Sequence, residues 1–216
     1  MKMLNSFGPN PRMLRMFLAE KGIELESVEH DLMGAENRQG PYVSRNPGGQ
    51  MPALELDDGS VLAETVVICD YLEDLHPEPA LIGANPQERA EARMWNRRVE
   101  QKITENMYSG FRYAEGLGLF KDRMRCSPES ADWFKACAND GLAWLDPLLQ
   151  GKQFICGERL TIADLVLYCC VDFCIGVGQK VDPALNNVNA LLARMGERPS
   201  ATSSLHPGAA KSKMKG

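Results

Sequence analysis

The sequence predicts a small α/β domain followed by an all-helical domain, and two observations carry that reading. Residues 1–76 run strand, helix, strand, helix, strand, strand, helix, the order of a βαβ unit joined to a hairpin. After the proline- and glycine-rich stretch "PEPALIGANP", every further apolar pattern has the period of a helix. The expected division is an α/β domain over 1–77, a linker over 78–85, a helical domain over 86–200 and a disordered tail over 201–216.

The first run, "KMLNS", is short and apolar, as a strand is. It breaks at "GPNP", where Asn10 before Pro11 has the form of a helix cap followed by proline in the first turn. "PRMLRMFLAEKG" continues as a helix with Leu14, Phe17 and Leu18 on one face and Gly22 as its stop. "LESVEHDL" is a second strand, and "QGPYVSRNPGGQMP" is loop with one helical turn. "ALEL" and "SVLA" flank "DDG", a hairpin signal. "ETVVICDYLEDLH" is a helix whose buried side is expected to hold Val67, Ile68, Tyr71, Leu72 and Leu75.

Beyond the linker a long helix runs from Pro86 to about Glu115, with others over 128–149, 161–175 and 183–196. Asn85-Pro86, Ser127-Pro128 and Asp182-Pro183 each set a capping side chain before proline. In "GERLTIADLVLYCC", Thr161 is an N-cap and Asp164, three residues on, is its capping-box partner, with Leu160 and Leu165 as the hydrophobic staple. The helix that follows is apolar nearly all round, so it is expected to be buried. The end, "ATSSLHPGAA" followed by Lys211, Lys213 and Lys215, reads as the disordered tail.

Composition narrows the function. The chain has 216 residues, 44% hydrophobic and 25% charged, with a net charge of −5 and no dense basic stripe. Nucleic acid is therefore not an expected partner. No apolar run spans a bilayer, so no membrane partner is expected either. "MKMLNSFG" lacks the apolar core of a signal peptide. Seven cysteines without a Cys-x-x-Cys, four of them (Cys156, Cys169, Cys170, Cys174) in one apolar region, suit free thiols in a reducing cytoplasm. Cys170 and Cys174 have the i, i+4 spacing of a metal pair, but none of His30, His76 and His206 is near, so they read as core and no metal is expected.

Three motifs in order, "SFGPNPRMLRMFLAEKG", "NPGGQMPAL" followed by "LAETVVICDYL", and "LTIADLVLY", resemble the glutathione S-transferase superfamily over residues 1–200, closest to bacterial cytosolic members. The resemblance implies a thioredoxin-like fold for the N-terminal domain and glutathione as co-substrate. It implies a transferase of the detoxification type, acting as a homodimer on a small-molecule electrophile. Pro52 matches the family's cis-proline, which turns the backbone of Met51 toward the cysteinyl part of glutathione. Glu64 and Thr65 match the acidic-hydroxyl pair at a helix start that takes the γ-glutamyl end. Gln39 and Gln50 are candidates for the glycyl end. Met107, Tyr108, Phe111 and Arg112 are candidates for the second-substrate wall, although aromatics at helical spacing more often form interdomain core.

The family's cysteine or serine position holds Asn10, so the chemistry must be arranged differently. A free thiol has a pKa of about 8.5, and lowering it by about two units needs about 2.7 kcal/mol of preference for the thiolate. One charge-assisted hydrogen bond gives about 1.5–3 kcal/mol, and a helix N-terminus adds up to about 1 kcal/mol. Asn10 is expected to combine a cap role, through its amide oxygen, with a donor role toward the sulfur. Ser6, at the end of the first strand, is the competing donor, or else a serine bonded to its own backbone. Arg12 is a candidate cation for the thiolate, or else a solvated helix residue. Cys69 and Cys156 read as buried small residues rather than nucleophiles. Two alternatives accompany the transferase reading: a glutathione-dependent disulfide reductase lacking its own cysteine, and a non-catalytic protein-interaction module with the same fold.

Overall fold

The computed structural model describes residues 1–209 and residue 216. The N-terminal part holds a four-stranded sheet, β1 Lys2–Asn5, β2 Glu26–Glu29, β3 Ala53–Glu55 and β4 Val61–Leu62, in the order β2-β1-β3-β4. β1 pairs parallel with β2 and antiparallel with β3, and β3 pairs antiparallel with β4 through the "DDG" hairpin. Three helices belong to this part: α1 Pro9–Lys21, the single turn α2 Gly40–Val43, and α3 Thr65–Leu75. This is the thioredoxin-like arrangement expected from the motifs.

Successive strand residues face opposite sides of a sheet. Met3 and Leu54 accordingly join the main core with Leu14, Phe17, Ile68 and Leu72, while Leu4, Met51 and Ala53 form a smaller cluster with Tyr42. On α3 the buried side is Ile68, Cys69, Leu72 and Glu73; Val67 and Leu75, expected inside, are both 49% exposed. The helix is rotated because Glu73 must reach inward. Its carboxylate accepts from Lys21 Nζ at 2.7 Å and from the Ile82 N–H at 2.8 Å, docking the linker onto the domain.

The helical part contains α4 Pro86–Val99, a π-turn at Glu100–Thr104, α5 Glu105–Tyr113, α6 Leu117–Phe120, α7 Ala131–Leu145, α8 Ile162–Gly176, α9 Asn186–Gly196 and α10 Pro199–Ser203. The expected long helix is thus interrupted by the π-turn, where Gly141 of α7 comes so close that a Cβ would stand 2.4 Å from the Lys102 carbonyl oxygen. Asn85 caps α4 by accepting from the Glu88 N–H at 3.0 Å. The other two proline openings differ. Ser127 spends its hydroxyl on Glu129, and Asp182 accepts from the Ala184 N–H in a turn ahead of α9. Neither side chain reaches the first turn of a regular helix.

α8 is the buried centre, opened by the capping box of Thr161 and Asp164. Asp164 accepts from the N–H groups of Ile155 (2.8 Å) and Thr161 (2.9 Å) and from the Thr161 hydroxyl (3.0 Å). Asp164→Ala strands these donors in the core, and an unsatisfied buried donor costs about 1–3 kcal/mol. We expect a loss of about 3 kcal/mol, read as a lower urea midpoint at unchanged slope. Burial pushes the Asp164 carboxyl up to about 6, against those hydrogen bonds. A carboxyl whose proton binds more tightly in the folded state contributes its full stability below about pH 4 and loses it as pH rises through about 6. The stability gap between the wild type and Asp164→Asn should shrink in that direction.

The expected disordered tail is ordered as far as Ala209, because α1 holds it. Arg12 donates to the Ala201 carbonyl at 3.1 Å and Arg15 to the Ser204 carbonyl at 2.8 Å. His206 Nε2 meets Glu29 of β2 at 3.0 Å. Lys211, Lys213 and Lys215 lie outside the described residues.

Candidate active site

The cleft between the two parts contains two cavities that meet at Asn10, Tyr108 and Arg112. The larger, about 580 Å³, runs from the start of α3 (Glu64, Thr65, Val67) to the π-turn and α5 (Glu100, Thr104, Glu105). The smaller, about 100 Å³, lies between the Ser6–Pro11 loop with Gln50 and Met51 on one side and Phe111, Phe120 and Arg123 on the other.

Asn10 is not the helix cap. α1 starts at Pro9, Gly8 holds the cap position at φ 146°, and the Arg12 N–H reaches back to the Gly8 carbonyl at 3.0 Å. Proline at positions 9 and 11 leaves Asn10 as the sole N–H of the first three helical residues, so a capping side chain has little to serve. The Asn10 amide oxygen instead accepts from the Tyr108 hydroxyl of α5 at 3.0 Å. Burial, together with neighbouring cysteines, pushes the Tyr108 phenol well above its usual pKa, so it stays protonated and donates. With the oxygen engaged, the amide nitrogen is left as a donor with no protein partner among the described residues, at the junction of the cavities.

Ser6 is fully buried and its hydroxyl donates to the Phe7 carbonyl at 3.2 Å. Beneath it, Arg15 donates to the Asn5 side chain at 2.7 Å and to the Ser6 carbonyl at 3.2 Å, so the ordered C-terminal segment and the strand end share one guanidinium. Arg12 is 1% exposed and lines neither cavity. It pairs with Asp172 of α8 at 2.7 Å and stacks over the Tyr168 ring, so it binds the two parts together rather than facing the cleft.

The Met51-Pro52 peptide is cis, and Met51 lines the smaller cavity with Gln50. Gln39 is elsewhere: it borders a separate depression with His30, Tyr42 and Arg45, and Arg38 and Asn37 stand at the cleft instead. A short 3-10 turn, Glu36–Arg38, swings the chain so that successive side chains face different ways, which periodicity could not anticipate. Glu64 sits at φ 68°, just before Thr65 opens α3. A non-glycine residue held there costs about 1–3 kcal/mol, and such positions gather at ligand sites.

On α5, Tyr108, Phe111 and Arg112 line the cleft, while Met107 is 1% exposed and belongs to the core. Phe111 packs edge-on against Phe120 and Phe173, so the aromatics form wall and core together. Tyr113 packs on Phe134, away from both cavities. Arg123 donates to the carbonyls of Leu32 (2.7 Å) and Met33 (2.8 Å), fastening the helical part over the α/β part. Glu100, Thr104, Phe120 and Arg123 carried no sequence signal, since each reaches the cleft only through helix packing. Burial raises the Glu100 carboxyl, against a hydrogen bond from Asn96. Cys69 and Cys156 are buried, with burial lifting the first thiol well above its usual value and the second to about 11. No cysteine lines either cavity.

Residues 7–75 match the family model for the glutathione S-transferase N-terminal domain, and residues 119–203 match that for the C-terminal domain. The chain is 31% identical over 194 residues to glutathione S-transferase GstA of Escherichia coli O157:H7, covering 87% of this chain and 89% of that one. It is 30% identical over 156 residues to a maleylacetoacetate isomerase of Pseudomonas aeruginosa, covering 71% of each. A glutathione S-transferase domain-containing protein of Marinobacter aquaeolei superposes with a TM-score of 0.87 at 33% identity, over 93% of this chain and 99% of that one.

Proposed function

Because the chain belongs to the glutathione S-transferase family, we propose that it binds glutathione in this cleft, ionises the thiol and directs the thiolate at an electrophilic small molecule. The observation that carries this is the Asn10 amide, its oxygen occupied by Tyr108 and its nitrogen left as a donor where the cavities meet. The γ-glutamyl carboxylate goes to the free N–H groups at the start of α3 with Thr65, and Glu64 takes the α-ammonium. Met51 pairs its backbone with the cysteinyl unit, and Gln50 with Arg38 takes the glycyl carboxylate. Asn10 then donates to the sulfur. Ser6, whose hydroxyl is spent on its own backbone, supports the loop, and Arg12 supports the domain junction. No protein nucleophile is required, since glutathione brings its own. That accords with cysteines that lie away from the cavities; a disulfide reductase lacking its own cysteine would use the same bound thiolate.

Isomerisation is the second reading, favoured by the maleylacetoacetate isomerase relative. It uses the same thiolate but returns glutathione unchanged, so mass spectrometry of the product separates it from conjugation.

Thermal denaturation with millimolar glutathione tests the binding. A ligand at ten times its Kd stabilises by about 1.4 kcal/mol, about 3–5 °C for a chain of this size. We expect that rise in the wild type and its loss in Glu64→Ala. No rise in the wild type defeats the glutathione reading, and a full rise in Glu64→Ala moves the γ-glutamyl seat elsewhere.

A further inference from the structure

Charge is sorted between the two cavities. The larger carries Glu64, Glu100 and Glu105, with Arg112 on the border it shares with the smaller. The smaller carries Arg38, Arg112 and Arg123 and, among the described residues that line it, no acidic side chain. In a chain of net charge −5, a lining with three guanidinium groups is a local reversal of the field, and with Arg38 given above to the glycyl carboxylate, Arg112 and Arg123 remain for a second anion. Its walls also carry five aromatic rings, Phe7, Tyr108, Phe111, Phe120 and Phe173.

The three arginines are not equivalent. Arg123 is committed to the Leu32 and Met33 carbonyls. Arg38 is exposed and leans on the Gly48 carbonyl at 3.3 Å. Arg112 is half-buried, with its guanidinium 5.7 Å from the centroids of both the Tyr108 and Phe120 rings. It makes no hydrogen bond or ion pair with any described residue. A guanidinium laid on ring faces is partly stripped of water while its N–H edge stays available, the arrangement suited to a planar oxyanion. Arg112 also borders both cavities alongside Asn10. An anion held by Arg112 therefore lies beside the place given above to the sulfur.

The geometry points to an electrophile that is an aromatic carboxylate: its carboxylate held on Arg112, its ring among the phenylalanines, its reactive carbon turned toward the thiolate beside Asn10. Arg112 is then the residue that sets specificity for charge. Gln50, Met51 and Arg38, on the α/β side of the smaller cavity, are given above to glutathione, and the ring takes the helical side with Phe111, Phe120 and Arg112. The inference rests on the thiolate assignment above for its chemistry, but not for its anion seat. With a chloronitrobenzoate the step balances simply. The thiol proton has gone to solvent, sulfur forms a bond to the ring carbon, the carbon–chlorine bond breaks, and chloride leaves with the electron pair.

The probes are 4-chloro-3-nitrobenzoate and its methyl ester, turned over with glutathione by the wild type, Arg112→Gln and Arg112→Lys. We expect the wild type to prefer the acid. Arg112→Gln should lower kcat/KM for the acid about tenfold or more, mainly through KM, and lower it for the ester by a clearly smaller factor. Arg112→Lys, which keeps the charge but not the fork, should recover part of the loss. Equal losses on acid and ester, or a matching rise in the KM for glutathione, would overturn the assignment. Calorimetric binding of unreactive 3-nitrobenzoate without glutathione separates the two levels. Weaker binding to Arg112→Gln than to wild type upholds the anion seat even if glutathione produces no thermal shift, whereas equal binding or none to either protein overturns it.

Discussion

Asn10→Ala is expected to raise the pKa of glutathione bound to the protein by about one to two units, the equivalent of the 1.5–3 kcal/mol carried by one charge-assisted hydrogen bond. The ultraviolet absorbance of the thiolate, titrated in the presence of saturating protein, reads it directly. The sign fixes the pH behaviour. A higher thiol pKa leaves less thiolate at neutral pH, so the conjugation rate should fall by about 3- to 25-fold there and recover as pH rises above the new value. Tyr108→Phe removes the group that engages the amide oxygen at 3.0 Å. It should give a smaller shift in the same direction and add little to Asn10→Ala, because both changes act through one donor. Ser6→Ala should leave the titration in place. A Ser6→Ala shift larger than that of Asn10→Ala would move the donor role to the serine.

Arg12→Ala is expected to destabilise the protein by about 3–5 kcal/mol, the cost of leaving one member of a buried ion pair alone. The guanidinium ties α1 to α8 through Asp172 and to α10 through the Ala201 carbonyl, and it lies over Tyr168. Truncation therefore loosens three elements together. The double substitution Arg12→Met with Asp172→Leu should be less damaging than either single change, since replacing both charges by apolar side chains removes the stranded partner. Chemical denaturation of the four proteins measures the coupling. The same variants also address the thiolate. If Arg12→Met left stability unchanged but raised the pKa of bound glutathione, the residue would belong to the sulfur after all.

These two arginine and asparagine predictions differ in what the sequence could say about them. Asn10 was conspicuous because it sits where the family motif carries a cysteine or serine, yet its expected capping role fails. A cap is judged from neighbours in sequence, and the helix gained two residues by starting at Pro9. Arg12 looked like a first-turn cation with solvent or substrate before it. Its partner Asp172 is 160 positions away, and nothing local marks a charge destined for burial. Gln39 was misplaced by a short turn, and Met107 by about one position of helix phase.

The sequence by itself determined the order of elements in the α/β part, the hairpin at "DDG", the cap and box of Thr161 and Asp164, and the family. Each rests on short-range chemistry: alternation and helical period, turn residues with the dihedrals they permit, and side chains that satisfy backbone N–H groups three residues away. Only the tertiary structure decided which face of α5 closes the cleft, that the C-terminal segment folds back onto α1, and that the three glutamates gather on one side of Asn10 with Arg112 at the border. Those outcomes depend on how helices rotate and approach as they bury apolar area. Burial is non-directional and summed over the whole core, so no local stretch of residues records it.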